Sequence, residues 1–149
     1  MKLLCDFHIH SALSPCADPE MTPGNIVGMA SLQGLAAIAI TDHQSCGNCA
    51  SAMAQSARIG GPLVLPGLEV ESSEEIHLIC LFPTLASALT FATAVWDSLP
   101  EIRNRPDIFG DQTYYDQNDL PTGLEDRLLL QACGIGCDEL ARLDRKSVV

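Results

Sequence analysis

Two histidines stand two residues apart at the end of the first apolar run, in Asp6-Phe7-His8-Ile9-His10. On a β-strand, residues i and i+2 point to the same face. Leu3, Leu4, Cys5 and Phe7 make the preceding residues strand-like. Both imidazoles can therefore project from one strand end into one cleft. Taken alone, the pair could as well be solvated, or one ring could be buried and hydrogen-bonded. The other two histidines narrow the choice.

Ala37-Ile38-Ala39-Ile40 is a short apolar run that ends in Thr41-Asp42-His43, and Leu63-Val64-Leu65-Pro66-Gly67-Leu68 ends in Glu69. Ile76-His77-Leu78-Ile79-Cys80-Leu81-Phe82 is a further run, with His77 near its start. Apolar runs of this length, separated by helix-like segments, read as parallel strands buried on both faces. In such architectures binding residues collect outside the carboxyl ends of the strands. His8, His10, His43 and Glu69 all fall at that end, whereas His77 sits at the beginning of its run. Imidazole nitrogens and carboxylate oxygens are the usual ligands of zinc, manganese and iron. All four histidines adjoin such a run, so the pattern predicts a metal site.

In this order and spacing, Asp6-Phe7-His8-Ile9-His10-Ser11, Thr41-Asp42-His43, Gly67-Leu68-Glu69 and His77 resemble the successive motifs of the PHP family. These are the polymerase and histidinol phosphatase metal-dependent phosphoesterases. The resemblance runs from Lys2 to about Phe82 and more faintly to Leu140. It implies an α/β fold, a distorted (β/α)7-type barrel of mostly parallel strands with helices outside. It also implies up to three divalent metal ions (zinc, iron or manganese) at the C-terminal face. Carried over by residue, His8 and His10 match ligands of the first metal, and Glu69 the carboxylate bridging the first and second. His77 matches a ligand of the second metal and His43 one of the third. Many members have a histidine six residues after the paired histidines, where this chain has Cys16 in Ser14-Pro15-Cys16-Ala17. A thiolate there could replace an imidazole and favour zinc or iron, or Cys16 could be a small buried residue.

Asp6 and Asp42 adjoin ligating histidines, and a metal-bound imidazole commonly gives its other N–H to such a carboxylate. Orientation is the role expected of both, although Asp42 could reach a metal directly or simply cap a strand end. Glu69, His43 and Asp42 are the residues expected to serve catalysis. Arg103 and Arg105 could clamp a substrate phosphate or form a solvated pair in an acidic loop.

The family pattern also has a further histidine and a late Asp-x-His. Here no histidine follows His77, and the chain ends in Asp144-Arg145-Lys146-Ser147-Val148-Val149, where a helix leading to a next strand is expected. A complete barrel usually takes about 200 residues or more. The expectation is one domain over residues 1–149 that is the N-terminal part of a PHP domain, its C-terminal strands missing.

A net charge of −11 argues against non-specific binding to nucleic acid or anionic lipid. A phosphorylated small molecule then needs local positive potential, which bound metals would supply. No apolar run approaches the roughly 18–20 residues of a membrane span, and the start lacks the long apolar region of a signal peptide. The expected compartment is the cytoplasm. An incomplete barrel would leave a strand edge open, so a homo-oligomer is expected.

Seven cysteines should be thiols in a reducing compartment. Cys46 and Cys49, with Cys133 and Cys137, raise the alternative of a cysteine-based zinc or redox protein. The predicted strands are Lys2–His8, Ala36–Thr41, Leu63–Val70 and Ile76–Phe82, the last two joined by a turn short enough for an antiparallel pair. The predicted helices are Thr22-capped Pro23–Leu32, Cys46–Ile59, Leu85–Leu99, Glu125–Cys133 and Cys137–Arg142. Residues 100–123 read as a polar insertion or loop with a hairpin near Phe109–Tyr115 and Leu120. The function so indicated is hydrolysis of phosphomonoesters or nucleotide phosphates by metal-activated water. The alternatives are a metal-binding but inactive fragment or interaction module, and the cysteine-based protein.

Overall fold

The computed structural model describes residues 2–147. Its strands are β1 (Cys5–Ile9), β2 (Ala37–Ile40), β3 (Leu63–Glu71), β4 (His77–Leu81), β5 (Thr113–Tyr115) and β6 (Pro121–Leu124). Its helices are α1 (Pro23–Leu32), α2 (Cys49–Ile59), α3 (Leu85–Ser98), α4 (Pro106–Phe109) and α5 (Cys137–Ser147). Val148 and Val149 lie outside the described residues.

The main sheet has the order β1-β2-β3-β4. β1 and β2 are parallel, as are β2 and β3, while β4 runs antiparallel to β3. The architecture is α/β and is compatible with part of a barrel. Two parallel pairings need crossovers, and the sequence makes them helical. Thr22 is extended and accepts a hydrogen bond from the Asn25 N–H, with Pro23 opening α1; this satisfies one of the orphan donors of the first turn. α2 ends at Gly60, whose φ of 63° is the left-handed conformation that a residue without Cβ adopts at no steric cost.

Ile38, Ile40, Val64, Leu68 and Val70 of the sheet are buried with Ile26 and Val27 of α1, Cys49 and Ala52 of α2, and Phe91 and Val95 of α3. Phe91 meets Phe82 with ring centroids 5.1 Å apart, a distance at which tilted aromatic pairs attract beyond their area burial. Full burial of one such side chain is worth about 1.5–3 kcal/mol, so this layer holds the sheet rigid beneath the strand ends. β1 is one edge of the sheet, and its Phe7 and the preceding Leu3 and Leu4 are exposed.

The segment 100–123 contains the short helix α4, β5 and all of β6 but Leu124, the two strands forming a hairpin. The hairpin tip is tied to the helices. Ser51 donates to the Asp116 carbonyl and Gln55 to that of Gln117. Asp119 accepts from the Thr22 hydroxyl at 2.6 Å and from the Gly24 N–H at 2.7 Å. α1 has no acidic residue in its own first turn, so Asp119 supplies from across the fold the negative charge that a helix N-terminus favours.

β4 runs antiparallel to β3, as the short turn between them indicates, because residues 72–76 are too few for a crossover. Two expectations need correction. α2 begins at Cys49 and not at Cys46, with 44–48 forming a turn before it. Glu125–Cys133 is not helical. The buried Gln112 amide donates to the carbonyls of Glu125 and Arg127 and accepts from the Leu129 N–H. The Glu125 and Arg127 carbonyls and the Leu129 N–H are thus paired outside a helix, while Leu129 and Cys133 are buried. Their helix-like spacing is overridden by tertiary hydrogen bonds. Arg127 lies 4.1 Å from the Trp96 ring centroid and donates to the Trp96 and Leu99 carbonyls at the end of α3, which favours a cation there.

Asp119 has a φ of 64°, a conformation that asparagine and aspartate tolerate better than alanine. Asp119→Asn should lower stability by about 1 kcal/mol, and Asp119→Ala by about 1–2 kcal/mol. Urea unfolding checks the order; equal stability of all three chains would show that the tip contact contributes nothing.

Candidate metal centre

The ends of three strands are stitched together at the edge where the histidines stand. Beyond β2 the chain continues alongside β3, in an isolated parallel bridge between His43 and Glu69. The Glu69 N–H donates to the Asp42 carbonyl at 3.0 Å and the Gln44 N–H to the Glu69 carbonyl at 2.8 Å. On the other side, the Thr41 N–H donates to the Ile9 carbonyl, and the Ile9 N–H to the Thr41 hydroxyl. The register of β1 on β2 shifts between Asp6 and Ile9, and the His8 N–H turns to the Asp6 carboxylate at 3.2 Å.

These constraints bring all four histidines to one carboxylate. Glu69 Oε2 is 3.2 Å from His8 Nε2, 2.8 Å from His10 Nε2 and 3.7 Å from His43 Nε2. Glu69 Oε1 is 3.0 Å from His77 Nδ1. His77 stands at the start of its strand, but β4 is antiparallel and Glu71 pairs with His77. The start of β4 therefore lies at the same end as the carboxyl terminus of β3. Glu71, two residues beyond Glu69, reaches His77 Nε2 at 3.9 Å. Glu71 is not among the residues that the motifs single out, although the period-2 rule applied to His8 and His10 also places Glu69 and Glu71 on one face.

Among the described residues, three groups could hold a metal ion: His8, His10 and Glu69; His43, Glu69 and His77; and His10, Cys16 and His43. His8 Nε2 and His10 Nε2 are 3.0 Å apart. With the contacts to Glu69, these spacings compare with about 3.0–3.4 Å between neighbouring ligands on a cation with bonds near 2.1 Å. The donor set of imidazoles and one carboxylate suits a divalent transition metal. His43 Nδ1 is buried without a hydrogen-bond partner. The side chains of His8 and His77 are 54% and 46% exposed while that of Glu69 is 7% exposed, so the cluster opens to solvent on one side.

Asp42 is fully buried and takes a different part from the one expected. Its carboxylate accepts from the Ser11 N–H and the Ser14 hydroxyl on one oxygen and from the Ser11 hydroxyl on the other. None of these donors is an imidazole. Ser14 in turn accepts from the His43 N–H at 3.0 Å, and Ser11 accepts from the Asn48 amide, which also donates to the Thr113 carbonyl. Asp42 therefore holds the backbone that carries His10 and His43. Asp6 likewise bonds backbone, at His8.

Arg105 is paired with Asp107 at 2.6 Å, and Arg103 lies 3.9 Å from Asp126. Neither joins the contacts of the histidine cluster. The paired cysteines are also elsewhere. Burial pushes the Cys46 thiol up to about 11 and the Cys49 thiol higher still, and the Cys49 thiol donates to the Ile40 and Gly67 carbonyls. Cys137 contacts the Ser72 hydroxyl and Cys133 the Ile135 carbonyl. None of these four enters a candidate metal group among the described residues.

Burial, and then the charge of His10, lower the His43 pKa from 6.5 to about 4, against the attraction of Glu69. His43 is thus neutral at pH 7 with a lone pair to give. Burial raises the Glu69 carboxyl, but His43, His77, His8 and His10 outweigh it and hold it below its ordinary value. Both groups act in one direction. As pH falls from 6.5 toward 4, the unfolded chain takes up a proton at His43 that the folded chain refuses, and stability drops. Protonation of Glu69 at lower pH continues the loss. Asp42, raised by burial, works in the opposite sense. Urea midpoints of the metal-free chain should fall between pH 6.5 and 4, and His43→Gln should flatten that slope. A midpoint independent of pH over this range would contradict a buried neutral His43.

No family model matches the chain. A 3′,5′-nucleoside bisphosphate phosphatase of Chromobacterium violaceum is 36% identical over 92 residues, which is 56% of this chain and 31% of that protein. An amidohydrolase of Chromobacterium violaceum, solved with bound sulfate and no metal, is 27% identical over 64% of this chain and 34% of that one, with a TM-score of 0.48. A lesion-specific endonuclease of Pyrococcus furiosus is 18% identical, with a TM-score of 0.62 over 97% of this chain and 32% of that one. It shows the fold. The chain spans about a third of the length of these proteins. Over the stretch that they share, the similarity to the phosphatase agrees with the order of the motifs and with the resemblance to the PHP-type metal-dependent phosphoesterases.

Proposed function

We propose that this chain carries the histidine and glutamate half of a metal-dependent phosphoesterase site, within a barrel of the (β/α)7 type. The substrates are phosphomonoesters or nucleotide phosphates. The observation that carries the proposal is the convergence of His8, His10, His43 and His77 on the single carboxylate of Glu69. The phosphatase relative supports the reaction class.

In this reading His8, His10 and Glu69 hold one divalent ion, zinc, iron or manganese, and Glu69, His77 and His43 hold a second. Such ions lower the pKa of water and neutralise charge building on phosphoryl oxygens. The protein's part is to fix the donors. The Asp42 network keeps the backbone of His10 and His43 in place, β3 fixes Glu69, and the exposed faces of His8 and His77 leave room for a phosphate group. In a chain of net charge −11, an anionic substrate finds its attraction only where cations are bound. Ser11 is not a free nucleophile, because its hydroxyl is committed to Asp42.

A second reading, a metal-binding module with little turnover of its own, is favoured by the ligand count. All four histidines fall within the first 77 residues, and the family's later histidine and Asp-x-His are not among the residues of this sequence. Transition-state stabilisation needs ions held in fixed geometry, so catalysis suffers more than binding when ligands are few.

Purified protein should bind zinc, iron or manganese, and His8→Ala should lower metal content sharply by elemental analysis. Unchanged stoichiometry in that variant would remove the basis of the proposal. The 149-residue chain should hydrolyse p-nitrophenyl phosphate weakly or not at all. A chain extended through the later motifs should turn over in a metal-dependent way that Glu69→Ala abolishes. Robust hydrolysis by the short chain that survives Glu69→Ala would place the active site elsewhere.

A further inference from the structure

We propose that Cys16 is a positioning residue for His10, accepting the imidazole Nδ1–H at its sulfur so that Nε2 is presented to the cation. The inference rests on the metal-binding reading above and replaces the ligand role that the family resemblance suggested for Cys16.

The two nitrogens of His10 face different residues. Nε2 is 2.8 Å from Glu69 Oε2 and 3.0 Å from His8 Nε2, whereas Nδ1 is 3.0 Å from Cys16 Sγ. A neutral imidazole has one lone-pair nitrogen and one N–H. His10 therefore cannot serve the group of His8 and Glu69 through Nε2 and the group of Cys16 and His43 through Nδ1 in one state. The group with Cys16 lacks a carboxylate. It would also draw His10 away from Glu69, the residue through which His8, His43 and His77 are joined. The group with Glu69 keeps the buried charge paired. Choosing it puts the His10 proton on Nδ1, facing Cys16.

A ligating histidine almost always gives its other N–H to a carboxylate, a carbonyl or water. Here the sulfur of Cys16 occupies that place. Its position is fixed by the same network that holds the cluster. Ser14, two residues earlier, donates to the Asp42 carboxylate, and its carbonyl accepts from the Ala17 N–H at 3.0 Å, closing a turn around Cys16. Cys16 itself is exposed, so its replacement leaves the core intact.

The test uses the full chain loaded with cobalt(II). The visible ligand-field bands report binding, and a near-ultraviolet sulfur-to-cobalt band reports a thiolate ligand. Ligand-field bands without a sulfur-to-cobalt band are expected in the wild type. Cys16→Ala should weaken cobalt binding about 10–100-fold, and Cys16→Ser, which keeps an acceptor, should restore part of that loss. A sulfur-to-cobalt band that disappears in Cys16→Ser would make Cys16 a ligand and overturn this inference while leaving the metal centre standing. Unaltered affinity in Cys16→Ala would also overturn it. Failure of the wild type to bind cobalt at all would overturn the metal centre, and this inference with it.

Discussion

Everything at the open end of the sheet hangs on one buried carboxylate. Asp42 has no access to water, and a charge taken out of water is costly unless it is paired or hydrogen-bonded. Three donors from Ser11 and Ser14 meet that need. In meeting it they draw the loop after β1 against the end of β2. His10 precedes Ser11, and the His43 N–H is held by Ser14, so the geometry of the cluster follows from the demand of Asp42 for partners. The hairpin of β5 and β6 joins the same arrangement through Asn48, which bonds Ser11 on one side and the backbone of Thr113 and Tyr115 on the other.

The division of labour between the two carboxylates explains their different surroundings. Asp42 is spent on backbone and hydroxyl donors and has no imidazole partner. Glu69 has little besides imidazoles, and the bridge to His43 holds it where three strand ends meet. A carboxylate ringed by imidazole nitrogens and opening to solvent on one side is a donor set that suits a cation, because imidazole lone pairs and a carboxylate charge are usual metal ligands.

The chain spans about a third of the proteins it resembles. The edge strands β1 and β4 carry His8 and His77, while Glu69, to which both turn, lies on β3, an inner strand of the sheet.

Much of the site is legible in the order of the residues. His8 and His10 stand at period 2 at a strand end, and His43 and Glu69 each close an apolar run, so local periodicity alone points them to one edge. Thr22 and Pro23 announce α1 because capping is a contact within one turn. What local pattern could not decide lies in contacts between residues distant in sequence. His77 joins the cluster only because β4 reverses on β3. Asp42 turns to serines and not to imidazoles because the loop after β1 folds over it. The spacing of Leu128, Leu129 and Cys133 reads as a helix, but Gln112 pairs the Glu125 and Arg127 carbonyls and the Leu129 N–H outside one. In the sequence, each strand, cap and chemistry-bearing side chain is set by neighbours a few residues away. The choice of which nitrogen of His10 faces Glu69 and which faces Cys16 belongs to the tertiary structure, because it depends on groups from separate elements competing for one ring.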